Sequence, residues 1–247
     1  MMTSASYCTA PAESGRSRNA LALPTHLFTV VSKQQAIETR EKAVLSDETV
    51  SRVLEYWKNK GPKYRRTYLF FKVLANTGAR RSEALGFFSS DLQILKKTNN
   101  WVLLFRRQRT AKSKTSQEAF DTRLKTPRSY GFALLPQDLG KELIQFIEDY
   151  NIGEDEPIFD RGRAWANKVW IQTKKALGLD PRLRIHSFIT YYIRKQAPSL
   201  FAKVQNRELD AWDVEDLLRK DSKTIARHYH RPRPPEEVAE LLGEQEP

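Results

Sequence analysis

The sequence predicts a mainly helical α+β domain with one small antiparallel sheet. Apolar residues recur with the helical period over residues 139–150, 165–177 and 212–218. Two short apolar segments, 101–105 and 131–135, are typical of strands, and a long polar and basic segment separates them. Several helices interrupted by a hairpin-like pair of strands indicate this fold class.

The N-terminal part divides into an arm and the start of a folded domain. Residues 1–41 are rich in Ser, Ala, Thr and charged residues, so they are predicted to form a flexible arm or linker. The folded domain is predicted over residues 42–231. Its first helix is predicted to begin after Ser46, a favourable N-cap, and to end at Gly61 and Pro62.

Two further helices are predicted around a glycine turn, and a short helix is predicted at the C-terminus. The second helix covers residues 66–76 and ends at Gly78, after which Ser82 is predicted to cap a short third helix. Three prolines break the chain before an amphipathic segment at 236–242. We expect the tail, residues 232–247, to dock on a neighbouring protomer or to fold back on its own domain.

The charge balance indicates a polyanionic partner. The 247 residues include 42 Lys and Arg against 30 Asp and Glu, which gives a net charge of +12. Nucleic acid is the first candidate for such a partner. No apolar segment approaches the length of a spanning helix, so a membrane partner is not expected. Cys8 is the only cysteine, which excludes an intramolecular disulfide and suits a reducing, cytoplasmic location.

The segment 77–85, TGARRSEAL, places an arginine at a glycine turn between two helices. A guanidinium on a rigid helix junction can bind two oxygens of one phosphate, which an ammonium cannot do. The segment resembles the first signature box of the tyrosine recombinases, TGxRxSEhh, in which h is hydrophobic. This resemblance implies that Arg80 is the family's first catalytic arginine and that Glu83 orients it.

A second segment, 218–229, reads LRKDSKTIARHY and resembles the family's last box, LGHxxxxTTxxYxH. Lys220 stands where the box has a histidine, and Tyr229 follows it at the family's spacing. The resemblance implies that Tyr229 is the nucleophile and that Lys220 contacts the phosphate. Four basic side chains flank this tyrosine: Arg227, His228, His230 and Arg231. Their positive potential would stabilise a phenolate and attract a phosphate.

The family's second arginine lies in an HxxR pattern, from which this sequence departs. One candidate is Arg194, with Tyr191 at the histidine position, and the other is Arg184 beside His186. The interval to Tyr229 favours Arg194. Tyr191 could donate a hydrogen bond to a phosphate oxygen, but it cannot act as an imidazole acid or base. We expect His186 to be a supporting, structural histidine.

The family also uses a lysine at the edge of the sheet to protonate the departing 5′ oxygen. The segment 124–136 resembles that strand and implies Lys125, with Lys112 and Lys114 as further candidates. Other basic side chains are expected to contact the DNA backbone. The expected DNA-binding residues are Arg106, Arg107, Arg109, Lys112, Lys114, Lys195, Lys223 and Arg227.

The resemblance covers residues 44–231 and implies a tyrosine recombinase catalytic-domain fold, most similar to divergent archaeal, viral or plasmid integrases. It implies a site-specific recombinase or integrase of a mobile element, which cleaves and rejoins DNA through a 3′-phosphotyrosyl intermediate without metal or nucleotide. The expected partner is double-stranded DNA, with a monomer in solution and a tetramer on synapsed DNA. Two alternatives remain. One is a type IB topoisomerase or telomere resolvase, and the other is a non-catalytic DNA-binding protein derived from a recombinase.

Overall fold

The computed structural model describes residues 44–111, 118–124 and 129–220. Within these ranges the chain forms mainly α-helices and two small antiparallel sheets, which confirms the predicted α+β class. The helices are α1 (Asp47–Asn59), α2 (Arg65–Thr77), α3 (Arg81–Ala84), α4 (Gln137–Asp149), α5 (Arg163–Leu177), α6 (Ser187–Gln205) and α7 (Ala211–Leu218). The strands are β1 (Leu92–Leu95), β2 (Asn100–Phe105), β3 (Gln108–Ala111), β4 (Glu118–Asp121) and β5 (Gly131–Leu135). None of the described helices is long and apolar enough to cross a membrane.

The first helix begins and ends where the sequence predicts. The Ser46 hydroxyl accepts a hydrogen bond from the Thr49 amide at 3.1 Å, which satisfies one of the free N–H groups of the first turn. Helix α1 ends at Asn59, before Gly61 with φ at +90° and Pro62, which starts a 3₁₀ turn. Glycine tolerates that backbone conformation, and proline cannot continue the hydrogen-bond ladder.

The predicted cap of the third helix is wrong. Arg80, not Ser82, is the N-cap residue of α3, and Ser82 lies inside the helix. The carboxylate of Glu83, the third residue of the helix, accepts a hydrogen bond from the Arg80 amide at 2.8 Å and so satisfies the N–H group of the N-cap residue itself. The Ser82 hydroxyl hydrogen-bonds Gln108 instead, at 3.4 Å.

The two strands predicted from the sequence are confirmed as β2 and β5, which pair antiparallel, with Leu103 opposite Ala133. Strand β1 pairs on the other side of β2 and completes a three-stranded sheet. A second hairpin, β3 with β4, lies within the polar segment and was not predicted. These two strands are themselves polar, so no apolar pattern marks them in the sequence.

The core is built around α2, where Phe70 and Phe71 are fully buried. Phe71 stacks on Phe188 of α6 at 5.7 Å between ring centroids. The indole of Trp57 on α1 donates to the hydroxyl of Thr173 on α5 at 2.9 Å, so its one polar atom is satisfied in the interior. The rings of Trp57 and of Trp170 on α5 also contact Phe71, so α1, α5 and α6 all pack on α2, whose C-terminal end carries the candidate site.

Candidate active site

Gly78 ends α2 and sets the geometry of the junction that follows. Its φ is +58°, and its amide donates to the Leu74 carbonyl at 3.1 Å. A Cβ at this position would lie only 2.5 Å from Cδ1 of Tyr192 on α6. Glycine is therefore required both by the left-handed backbone and by the close approach of the tyrosine ring. The turn at Gly78 places Arg80 at the junction between α2 and α3.

The guanidinium of Arg80 is fixed by two side chains from different segments. Its Nη1 donates to Oε1 of Glu83 at 2.5 Å and to the hydroxyl of Ser129 at 2.7 Å. The arginine side chain still keeps 21% of its surface exposed. Arg80 is therefore positioned before any ligand binds and remains accessible to one, as a phosphate-binding arginine must be.

Glu83 is the buried carboxylate that organises this cluster. Only 1% of its side chain is exposed, and it accepts from both the backbone and the guanidinium of Arg80 and from Nη1 of Arg219, at 3.4 Å. Burial alone would raise the pKa of Glu83, but the charges of Arg219 and Arg80 and the hydrogen bonds from Arg80 outweigh it. The net pKa lies below its usual value, so the carboxylate is ionised at neutral pH.

We expect Glu83→Gln to lower the free energy of unfolding at pH 7 by about 3 to 5 kcal/mol, because two largely buried guanidiniums lose their shared anion. Since the folded-state pKa of Glu83 is lowered, its contribution is present above the unfolded pKa of about 4.3 and is lost as pH falls through the folded pKa. Urea unfolding at pH 7 and pH 3 measures both effects.

The difference between wild type and Glu83→Gln should shrink at pH 3, because the Glu83 carboxyl of the unfolded chain is largely protonated below its pKa of about 4.3, which removes part of the stabilisation that the lowered folded-state pKa provides. Glu148→Gln is the control, because Glu148 is exposed on α4 and its loss should change little at either pH. A difference that is as large at pH 3 as at pH 7 would contradict a lowered pKa of Glu83 in the folded state.

Arg219, which the sequence did not indicate as a site residue, lies beside this pair. It follows α7, is 2% exposed, and adopts φ of +52°. Its Nη2 donates to the Thr77 carbonyl at 3.2 Å and its Nη1 to the Ser129 carbonyl at 3.4 Å. Its guanidinium carbon lies 3.2 Å from the ring centroid of Phe105. The sequence carried one indication of Arg219, which stands where the last box of the family has a glycine.

Lys220, the next residue, is also buried, and its Nζ donates to the Arg219 carbonyl at 3.2 Å. The beginning of the last box, which the structure describes up to Lys220, therefore lies next to Glu83 and Arg80. Contact of Lys220 with a phosphate stays a prediction.

Tyr191, Arg194 and Lys195 line a different recess, of about 370 Å³, with the start of α1. The Tyr191 hydroxyl donates to the carboxylate of Asp47 at 2.7 Å and accepts from Nζ of Lys195 at 3.4 Å. Burial, together with the bond to Asp47 and its charge, raises the pKa of Tyr191. This recess includes none of the residues that Arg80 contacts.

The helical period explains this separation of α6 side chains. Tyr192 packs against Gly78, next to Arg80, whereas Arg194 is two residues further along α6. Two residues correspond to a rotation of about 200° around the helix axis, so the two side chains leave opposite faces. Convergence of Arg194 with Arg80 on one phosphate stays a prediction.

Solved structures of a transposon integrase and of a site-specific recombinase are similar to the chain. The Tn1549 transposon integrase, in complex with transposon right-end DNA, has a TM-score of 0.58 at 14% identity, covering 83% of this chain and 67% of that one. The XerH site-specific recombinase, in a post-cleavage complex with palindromic difH substrate, has a TM-score of 0.55 at 16% identity, covering 82% and 53%. The chain has the tyrosine recombinase catalytic-domain fold. No protein-family model and no curated protein matches its sequence.

In this tyrosine recombinase fold, the alternative second arginine and its histidine lie at the start of α6. His186 is the N-cap residue of the helix and is exposed, and Arg184 is exposed as well. The Arg184 amide donates to the Ser187 hydroxyl at 3.2 Å, which orders the entry to the helix. The supporting role of His186 stays a prediction.

Three arginines expected to bind DNA have partners within the fold. Arg106 and Arg107 lie 3.8 and 3.5 Å from the buried carboxylate of Asp91, and Arg107 also covers the ring of Phe88. Arg109 lies 3.8 Å from Asp160. Arg106 is half exposed and so remains the most accessible of the three. DNA contact by these side chains stays a prediction.

Several predicted site residues lie outside the described residues: Tyr229, Lys125, Lys112, Lys114, Lys223 and Arg227. The arm over residues 1–41 and the tail over 232–247 also lie outside them.

Proposed function

We propose that the protein is a site-specific DNA recombinase that cleaves and rejoins strands through a 3′-phosphotyrosyl intermediate on Tyr229. The observation that carries this proposal is the preorganised Arg80, held by buried Glu83 and by Ser129 at the junction of α2 and α3. A donor fixed before binding stabilises developing negative charge without a reorganisation cost. The similar fold of two recombinases determined with DNA supports the same function.

The proposed reaction assigns separate parts to Tyr229, Arg80 and Lys125. The hydroxyl of Tyr229 gives its proton to water, the resulting phenolate oxygen attacks the phosphorus of a DNA phosphodiester, and the bond to the 5′ oxygen breaks. Arg80 stabilises the charge on the non-bridging oxygens, and Lys125 gives a proton to the departing 5′ oxygen. A second 5′ hydroxyl then attacks the phosphotyrosyl bond and releases Tyr229. No nucleotide is consumed, because the phosphodiester energy is kept in the covalent intermediate.

Double-stranded DNA is the proposed substrate, and the net charge of +12 supports it. We propose a monomer in solution and a tetramer on synapsed DNA, with integration of a mobile element as the biological reaction. Arg194, Tyr191 and Lys220 are proposed to complete the phosphate contacts once DNA is bound.

A trapping experiment tests the proposed chemistry on DNA of any sequence. The protein is incubated with a pool of nicked duplexes of randomised sequence, in which a cleaved strand fragment diffuses away and prevents religation. We expect a protein–DNA adduct that resists denaturant and disappears on protease digestion, with the nucleotide mapped to the Tyr229 peptide. Selection of specific duplexes from the pool that then yield no adduct would contradict the proposed activity.

Lys125→Ala should slow cleavage selectively if Lys125 is the general acid, by about 100- to 10,000-fold. A substrate with sulfur at the 5′-bridging position has a leaving group that needs no proton, so it should restore the rate. Single-turnover cleavage of the oxygen and sulfur substrates measures this rescue. Lys112→Ala and Lys114→Ala are the controls, and rescue in either of them instead would reassign the acid.

A non-catalytic DNA-binding function is a second candidate. The recess that Tyr191, Arg194 and Lys195 form with the start of α1 favours it. Tyr191, at the position of the family's histidine, is hydrogen-bonded to Asp47 rather than presented with Arg80. A protein that has lost cleavage would still bind DNA through its basic surface. Selection of specific duplexes from the pool without adduct formation would support this candidate.

A further inference from the structure

Arg219 connects the first box to the segment before β5. Its side chain bonds Glu83 and Thr77 of the first box and Ser129 before β5. Both Glu83 and Ser129 are also the partners of Arg80. Arg219 is therefore separated from Arg80 by a single side chain, on the buried side of the cluster.

Arg219 occupies a position that is unfavourable for an arginine in two respects. Its left-handed backbone, with φ of +52°, favours glycine. Its guanidinium is 2% exposed, so it loses almost all of its hydration. Such costs are tolerated where the surrounding structure determines the conformation, and they cluster at functional sites.

The contacts of Arg219 use the features that distinguish arginine from lysine. The planar guanidinium lies over the ring of Phe105 while its N–H groups reach a carboxylate and two carbonyls. An ammonium has no flat face for the ring and only three donors around one atom. The site therefore selects arginine specifically and not merely a positive charge.

We propose that Arg219 is a positioning residue that fixes Glu83, and through it the Arg80 guanidinium, relative to the chain segment that leads to Tyr229. This inference rests on the proposed function for its catalytic consequence. The structural part, the restraint of Arg80, does not depend on catalysis. The two parts can therefore be tested separately.

The chain offers a matched control at Arg207. This arginine also has a left-handed backbone, with φ of +59°, but it is exposed. Arg219→Gly and Arg207→Gly remove the same side chain from the same backbone conformation and relieve the same strain. Only the first should affect Arg80. Arg219→Lys, which keeps the charge, is a second variant should the glycine variant fold poorly, as thermal unfolding would reveal.

The restraint of Arg80 is measured without DNA by NMR of arginine side chains, with the Arg80 signals identified by their loss in Arg80→Lys. In the wild type we expect slow rotation of the guanidinium, because Glu83 and Ser129 hold Nη1. In Arg219→Gly and Arg219→Lys the rotation should become faster, and in Arg207→Gly it should not change. Unchanged Arg80 signals in both Arg219 variants would overturn the proposal.

The catalytic consequence is measured by single-turnover cleavage together with DNA affinity. Arg219→Gly should lower the cleavage rate by about 10- to 100-fold, the loss that is typical when a partner that orients a metal-binding side chain is removed. Affinity for DNA should change little, because Arg219 is buried. Equal losses of rate in Arg219→Gly and Arg207→Gly would overturn the positioning role. If the wild type forms no adduct, the proposed function fails, and the NMR measurement alone decides whether Arg219 positions Arg80.

Discussion

Replacement of Tyr229 by phenylalanine is expected to abolish the covalent protein–DNA adduct and strand exchange while leaving DNA affinity nearly unchanged. The substitution removes only the phenolic oxygen, which is the proposed nucleophile. The basic residues that flank it in the sequence, Arg227 and Arg231 among them, are unchanged and are expected to contribute to phosphate binding as before. Adduct yield on the selected duplex and the dissociation constant at fixed salt concentration measure the two quantities.

Tyr130 provides the control for this substitution. It is exposed and directly follows Ser129, the partner of Arg80, so it is a tyrosine in the neighbourhood of the site. Its hydroxyl is hydrogen-bonded to the Thr122 carbonyl and to the Leu124 amide. We expect Tyr130→Phe to form adduct normally. Adduct formation by Tyr229→Phe at the wild-type level would remove the central proposal.

Features fixed by neighbouring residues were predictable from the sequence. Ser46 caps α1, Gly78 ends α2, and the strands β2 and β5 carry clear apolar patterns. Arg80 and Glu83 were also predictable, because the box places both within one turn of chain and the structure pairs them directly. In each case the determining interaction spans only a few residues or follows one period.

Helix α6 was not predicted, although it is the longest of the described helices. Its segment is rich in aromatic and β-branched residues and contains Pro198, all of which reduce intrinsic helix propensity. Its apolar residues also do not form one stripe, because Tyr191 and Tyr192 are buried against different parts of the domain. Tertiary packing, rather than local preference, determines this helix.

Arg219 could not be predicted for a related reason. Its partners are far away in sequence, with separations of 136 residues to Glu83, 142 to Thr77 and 90 to Ser129. Spacing within a motif carries no information about such contacts. The same limit applies to Arg194. The number of residues up to Tyr229 favoured Arg194 over Arg184, but such an interval says nothing about the face of α6 that a side chain occupies.

Arg80→Ala is expected to lower the single-turnover rate of adduct formation by about 100- to 1,000-fold, the typical loss for one preorganised donor to developing negative charge. Arg80→Lys should recover little of this rate, because an ammonium cannot keep the bonds to Glu83 and Ser129 and also bind two phosphate oxygens. The rates are measured on the selected suicide duplex, with DNA affinity determined in parallel.

Arg81→Ala is the matched control, since Arg81 is the next residue and its guanidinium bonds Asn167 on α5. We expect that variant to retain most of the cleavage rate. Equal losses in the Arg80 and Arg81 variants would indicate a disturbed helix junction instead of a lost phosphate contact, and a wild-type rate in Arg80→Ala would exclude Arg80 from the reaction.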